Sequence, residues 1–369
     1  MKKILADRTT LIDSSGIRKV FALAAKMTDP VNFSIGQPDF DVPEPLKRAA
    51  IEAIEKGFNK YSQTAGLEEL CERIESDTAA EFGWANPTSL VTSGVSGALL
   101  LAFLALLNPG DEVIVPDPYF VIYKHIVNMI GGKCVYIDTY PDFSYPAEKI
   151  EAAITEKTKL IIVNSPVNPT GIVYSDAELK QIADVAAKHD ILVMSDEIYD
   201  KFCYDGPCPT IAKYYENTLL IRGFSKTYAM TGWRLAYVTT HPNLKPLVDA
   251  MTMIQQYTFV CAPTPFQYAA IAAMDYDVSD LVDRYRQKRD IIYQGLKDKF
   301  EIVKPGGAFY AFVKAPTQPA SDFVKKAIEN NLLIIPGNVF SEKDTHFRLS
   351  FAASDEKLRR GVDILNSLA

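Results

Sequence analysis

The chain has 369 residues, 48% hydrophobic and 23% charged, the balance of a globular protein long enough for one large and one smaller domain. A net charge of −7 argues against broad binding of nucleic acid or an anionic membrane, since clusters such as Lys47-Arg48, Lys325-Lys326 and Arg359-Arg360 read as solvated helix faces. Phosphate chemistry, where present, has to be local.

Met1-Lys2-Lys3-Ile4-Leu5-Ala6-Asp7-Arg8 turns charged before a signal-peptide apolar region can form, which predicts a cytoplasmic protein. A helix signal opens at Pro45. Residues 98–107 (ALLLAFLALL) form the most apolar stretch. It is about half as long as the ~20 residues a membrane span needs, so a buried helix is expected. Apolar runs then alternate with helix-length amphipathic segments: 112–116, 133–138, 160–164, 191–196, 218–223 and 235–239, with a helix starting at Asp176. That alternation predicts an α/β fold. Runs without polar alternation suit the buried strands of a mainly parallel sheet covered on both faces, with catalytic groups at strand ends. Around Pro263-Thr264-Pro265 the alternation stops; a long helix follows over 279–300, and the pattern turns strand-rich at 301–304, 307–313, 332–335 and 346–351. The expected organisation is a large domain over 45–265 and a smaller α+β domain made of 1–44 and 266–369.

Cys71, Cys134, Cys203, Cys208 and Cys261 lack the paired spacing of a metal site and read as reduced, mostly structural thiols. His125, His189, His241 and His346 show no ligand spacing either, so no metal is predicted. Tyr119, Tyr123, Tyr257 and Phe259 could line an aromatic pocket, though such residues are more often core.

The chemistry concentrates in a few segments. Lys226 lies in Gly223-Phe224-Ser225-Lys226-Thr227-Tyr228-Ala229-Met230-Thr231-Gly232-Trp233-Arg234, just after a strand-like run and eight residues before an arginine. A lysine amine attacks a carbonyl only when neutral; with a free pKa of about 10.4 it needs a site that disfavours its charge. Thr92-Ser93-Gly94-Val95-Ser96-Gly97-Ala98 is a small-residue turn entering a helix, able to hold an anion on its N–H groups or to serve only as an N-cap. Asn164-Ser165-Pro166-Val167-Asn168-Pro169-Thr170-Gly171 and Asp196-Glu197-Ile198-Tyr199 both end apolar strands. An aspartate there is commonly a cap, yet a buried carboxylate facing a heterocycle nitrogen would keep that nitrogen protonated. Arg348 alternates with apolar residues in His346-Phe347-Arg348-Leu349-Ser350-Phe351, a place where an unpaired arginine is unexpected unless a ligand meets it.

Taken together and in this order, the NSPxNPTG, SDEIY and SKTxxMTGWR segments resemble the class I/II aminotransferases of pyridoxal-phosphate fold type I, especially the bacterial and archaeal aspartate/aromatic aminotransferase-like branch. The likeness spans nearly the whole chain. It implies a mainly parallel seven-stranded sheet sandwiched by helices, pyridoxal 5'-phosphate as cofactor, a homodimer with shared active sites, and transfer of an amino group between an L-amino acid and a 2-oxo acid, with 2-oxoglutarate or pyruvate as the expected acceptor. By position, Lys226 becomes the Schiff-base lysine and proton shuttle, Asp196 the partner of the pyridinium nitrogen, and Tyr199 and Asn168 the partners of the phenolic oxygen. Arg234, Ser225, Ser96 and the backbone of Val95 and Ser96 become the phosphate cup, and Phe120 the aromatic stacked on the ring. Tyr61, in Lys60-Tyr61-Ser62-Gln63, matches a tyrosine that reaches the neighbouring subunit's phosphate. Arg348 takes the family's α-carboxylate position, with Gly36 and Asn168 beside it and Ile17 lining the side-chain pocket. Cis peptide bonds are implied at Asn168-Pro169 and Asp117-Pro118.

The chain departs from the family at three places, the first being Gly223, three residues before Lys226, where some relatives carry a phosphate-binding serine. Val95-Ser96 replaces the commoner Gly-Gly or Gly-Thr, though valine leaves backbone donation intact. Some aspartate-specific members also carry a lysine where this chain has Ser96, so strict aspartate specificity is not expected. A PLP-dependent C–S β-lyase, which uses the same lysine and aspartate, is the alternative reaction.

Overall fold

The structure, a computed structural model, describes residues 4–13, 16, 20 and 27–369. Seven strands build the main sheet: β1 (Thr88–Thr92), β2 (Glu112–Asp117), β3 (Lys133–Asp138), β4 (Thr158–Asn164), β5 (Leu192–Asp196), β6 (Thr218–Gly223) and β7 (Ala236–Thr240). Their order is β1-β7-β6-β5-β4-β2-β3. Only β7 runs antiparallel to its neighbours, so the expected mainly parallel α/β sheet is present.

Central strands such as β2 and β4 bury Val113, Ile114, Val115, Leu160, Ile161 and Ile162 completely, because helices cover both faces. On one face lies the helix Gly94–Leu106, whose Leu99, Leu101, Ala102 and Phe103 are all buried; its apolar run is core rather than membrane span. On the other face the helix Asp176–Lys188 packs Ile182, Ala183 and Ala186 inward. Its start is fixed by a capping box in which Ser175 and Glu178 satisfy each other's exposed N–H groups. Among the described residues, no helix is long and apolar enough to cross a membrane.

A second, antiparallel sheet comprises β8 (Tyr310–Lys314), β9 (Ile335–Pro336) and β10 (His346–Ser350), in the order β9-β10-β8. Its aromatic-rich core includes Tyr285, Phe309, Phe323, Phe347 and Phe351, under the helices Ser279–Leu296, Ala320–Glu329 and Asp355–Leu368. Val31–Asn32 pairs in parallel with Leu332–Leu333, and the Ser350 N–H donates to the Phe33 carbonyl at 2.8 Å. These ties fix the path of Ser34–Gly36, which matters for the site.

Several elements differ from expectation. The first long helix begins at Glu44, with Pro43 as its cap and Pro45 in the first turn, where a missing N–H costs nothing. Strand β1 went unrecognised because TSLVT holds only two large apolar residues. Segment 301–304 contributes one bridge, Ile302 to Val313, and 332–335 divides between two pairings. The reading of five reduced thiols is corrected: Cys203 and Cys208 are joined in a disulfide, since Gly206, at φ 137°, lets the chain reverse between them. Cys71, Cys134 and Cys261 are free. Asp117-Pro118 and Asn168-Pro169 are both cis, as expected.

Beneath the ends of the central strands, Arg222 bridges two carboxylates. Its guanidinium lies 2.9 Å from Glu197 and 2.6 Å from Glu81. Glu197 is almost fully buried and follows Asp196 directly, so removing its cation strands a charge at the base of the site. Arg222→Leu should lower the unfolding free energy by roughly 3–5 kcal/mol, measured by denaturant titration. A variant as stable as the parent would show that the pair contributes nothing.

Candidate active site

The parallel register sets Asn164, at the end of β4, beside Asp196, at the end of β5; Lys226 follows β6 in the adjacent position. The Asn164 amide donates to the Asp196 carbonyl at 2.8 Å, and the Asn168 N–H donates to Asn164 Oδ1 at 3.0 Å. These bonds curl the strand-end loop over the sheet. Around them opens a cavity of about 220 Å³ lined by Gly36, Val95, Ser96, Phe120, Asn168, Asp196, Tyr199, Ser225, Lys226, Arg234 and Arg348. The same walls carry Asn164, Ile198 and Tyr310.

Asp196 is buried, and its Oδ2 accepts from the Tyr123 hydroxyl at 2.6 Å while Oδ1 accepts from the Ile198 N–H at 3.3 Å. Burial pushes its carboxyl up to about 6, against the pull of the Tyr123 hydrogen bond. Lys226 Nζ donates to the Gly36 carbonyl at 2.6 Å. Loss of water around the amine, reinforced by the positive fields of Arg348 and Arg234, brings its pKa down to about 8. Near neutral pH the cavity therefore holds an amine poised to lose its proton and a carboxylate reluctant to be charged alone.

Arg348 is 1% exposed, with its guanidinium between the rings of Tyr310 at 4.6 Å and Phe340 at 4.5 Å. Nη1 donates to Asn168 Oδ1 at 3.1 Å and Nη2 to the Ser34 carbonyl at 2.9 Å, while Nε has no hydrogen-bond partner among the described residues. Burial pushes its pKa below the usual arginine range. A buried cation held by carbonyls alone is an incomplete ion pair, and it points to a ligand carboxylate.

Across the cavity, the helix Gly94–Leu106 starts without a side-chain cap, so its first N–H groups, at Gly94, Val95 and Ser96, are available to a ligand. Arg234, in the left-handed conformation, lies against Gly94 so closely that a Cβ on Gly94 would run into its guanidinium. Ser225 is buried on the same wall and Phe120 half-buried on the facing one. The cavity thus brings together an uncapped helix start beside Arg234, the buried Arg348 guanidinium, and Lys226 with Asp196.

Two expected residues are not in this cluster. Ile17 lies outside the described residues. Tyr61 is 83% exposed and lines a separate open cleft with Phe259, Val260 and Cys261. The aromatic reading divides: Tyr119 and Tyr123 are buried, while Tyr257 and Phe259 are exposed. Sequence reasoning missed Tyr310, Phe340 and Ser34 as site residues and gave Tyr123 only as a candidate for an aromatic pocket, not as the partner of Asp196.

Comparison with known proteins agrees with this geometry. The family "Aminotransferase class I and II" matches residues 28–365. The probable aspartate aminotransferase of Methanocaldococcus jannaschii is 38% identical over 99% of this chain and 100% of its own. Aromatic-amino-acid aminotransferase 2 of Thermococcus litoralis is 35% identical over 97% and 96%. Among solved structures, the aspartate aminotransferase from Thermus thermophilus with maleate superposes at a TM-score of 0.94, with 34% identity and full coverage of both chains. With the matched residues spanning almost its whole length, the chain belongs to the class I and II aminotransferases.

Proposed function

We propose that the cavity takes pyridoxal 5'-phosphate and that the protein moves an amino group between an L-amino acid and a 2-oxo acid. The observation that carries this reading is Lys226, an amine brought toward neutrality beside a buried aspartate in one cavity. When bound, the cofactor supplies an aldehyde that takes up an amine and a protonated ring that draws electrons from the substrate α-carbon. The residues present fit it. Gly94 lets the Arg234 guanidinium close on the helix start, where Arg234, Ser96, Ser225 and the Val95 and Ser96 N–H groups would share a phosphate. Phe120 would cover the ring, and Asp196, costly as a lone anion, would keep the ring nitrogen protonated. Tyr199 and Asn168 would donate to the phenolic oxygen.

Lys226 Nζ then serves as the base that takes the substrate α-proton, while the Gly36 carbonyl holds the amine in place. Arg348 binds the α-carboxylate through its free Nε edge, with Asn168 and the Gly36 backbone alongside. Ser96 puts no cation where a distal carboxylate would need one, which supports a donor range wider than aspartate.

Exposed Tyr61, Met253, Tyr257, Phe259 and Val260 form an apolar surface that supports a homodimer in which Tyr61 completes the partner's phosphate site. The separate aromatic core around β8 and β10 supports a two-domain reading. Because the helix Thr264–Met274 shares a core with Leu46 and Leu70, we place the seam after residue 274 rather than at 265.

In cofactor-free protein, aldehyde capture at Lys226, trapped with borohydride and located by peptide mapping, should climb as pH rises through about 8, because only the neutral amine attacks. A profile still climbing through 10.5 would mark Lys226 as an ordinary lysine. Replacing it, as Lys226→Ala, should abolish both turnover and the coloured band while the fold persists.

Arg348→Ala should weaken amino-acid and oxo-acid binding by roughly 2–5 kcal/mol while the cofactor stays bound. Unchanged substrate affinity in a spectroscopic titration would remove the carboxylate role. Mixing Tyr61→Phe with Lys226→Ala subunits should give hybrid dimers holding one intact site, with activity above the sum of the separate variants; strict additivity would show that the sites are not shared.

A further inference from the structure

Tyr310, at the start of β8, faces three parts of the cavity at once. Its hydroxyl lies 2.9 Å from the Tyr199 hydroxyl, and its ring carries the Arg348 guanidinium at 4.6 Å. Gly36 passes so close that a Cβ there would collide with the Tyr310 hydroxyl, and the Gly36 carbonyl holds Lys226. Both phenols are buried, and among the described residues neither hydroxyl has a further hydrogen-bond partner.

Proton counting decides what this contact does. Two phenols share one hydrogen between their oxygens, so one of the two O–H groups must be directed elsewhere. Arg348 is a donor only and cannot accept from Tyr310. Its positive charge over the Tyr310 ring makes Tyr310 the more acidic and better donor of the two. With Tyr310 donating, Tyr199 is the acceptor and its own proton is directed into the cavity. A phenol that accepts one hydrogen bond also donates more strongly through its own.

We propose that Tyr310 is a positioning residue of the transfer reaction: it donates to Tyr199, aims the Tyr199 proton at the cofactor's phenolic oxygen, and is held in that role by Arg348. The inference rests on the cofactor reading given above. The charged and titratable groups around the pair are Arg348 from β10, Asp196 with its partner Tyr123, and Lys226 and Arg234 from the loop after β6. Burial holds the Tyr199 phenol protonated far above neutral pH, so Tyr199 remains a donor throughout the working range.

The test is the pH titration of the lysine–cofactor absorption band in holoenzyme. Donation by Tyr199 favours the deprotonated chromophore, so Tyr310→Phe, which keeps the ring and deletes the hydroxyl, should raise its apparent pKa by roughly half to one pH unit and loosen the cofactor several-fold. Tyr199→Phe should raise it further. Adding Tyr310→Phe to Tyr199→Phe should change nothing more, because the hydroxyl that Tyr310 acts through is gone. A Tyr310→Phe enzyme that titrates like the parent, or shifts equally with and without Tyr199, would overturn the proposal. Absence of any such band in the parent protein would instead overturn the cofactor reading itself.

Discussion

A guanidinium sealed from water, with no carboxylate among the described residues to neutralise it, is the constraint around which this molecule is arranged. Arg348 is held by an asparagine side chain and a backbone carbonyl, and it lies between two rings. Desolvation of this kind is tolerated only where rigid dipoles offset it and where a partner anion arrives in function. The same positive field, with that of Arg234, helps to keep the Lys226 amine close to neutral. The proposed carboxylate fork and the proton affinity of Lys226 therefore share one electrostatic origin, and an anion placed at Arg348 would alter the proton affinity of Lys226 without touching it.

Much of this was legible in the sequence because the fold makes the candidate site residues local to strand ends. Asn168, Asp196 and Lys226 follow three consecutive sheet neighbours, and apolar runs without polar alternation announce such strands directly. Arg348 stood out because a charged residue alternating with apolar ones in a strand needs a partner. Tyr310 and Phe340 did not stand out, since aromatic residues in apolar segments look the same whether they fill a core or carry a cation. Ser34 contributes a carbonyl, and backbone acceptors leave no trace in residue type. The Cys203–Cys208 pairing escaped because it depends on a glycine reversing the chain, a conformation that the cysteine count cannot reveal.

The strand boundaries that failed share one cause. β1 holds too few large apolar residues, and the pairs at Leu332–Leu333 and Ile335–Pro336 too few residues of any kind, for a periodic signal; they exist because neighbouring elements supply their hydrogen bonds. The long apolar helix at Gly94–Leu106 was the opposite case. Its composition fixed its burial, while its role comes from the uncapped first turn that the composition hides.

The segment from Val31 to Gly36 is tied by its hydrogen bonds to Leu332–Leu333 and, through Phe33, to β10 of the second sheet, yet its last carbonyl grips the amine at the edge of the first. Ser34 of the same segment holds Arg348. A rigid displacement of that sheet would therefore carry the arginine and the lysine's tether together. Geometry alone would make the approach of the acid end of a substrate and the freeing of the amine one mechanical event, with the amino-terminal strap as its lever.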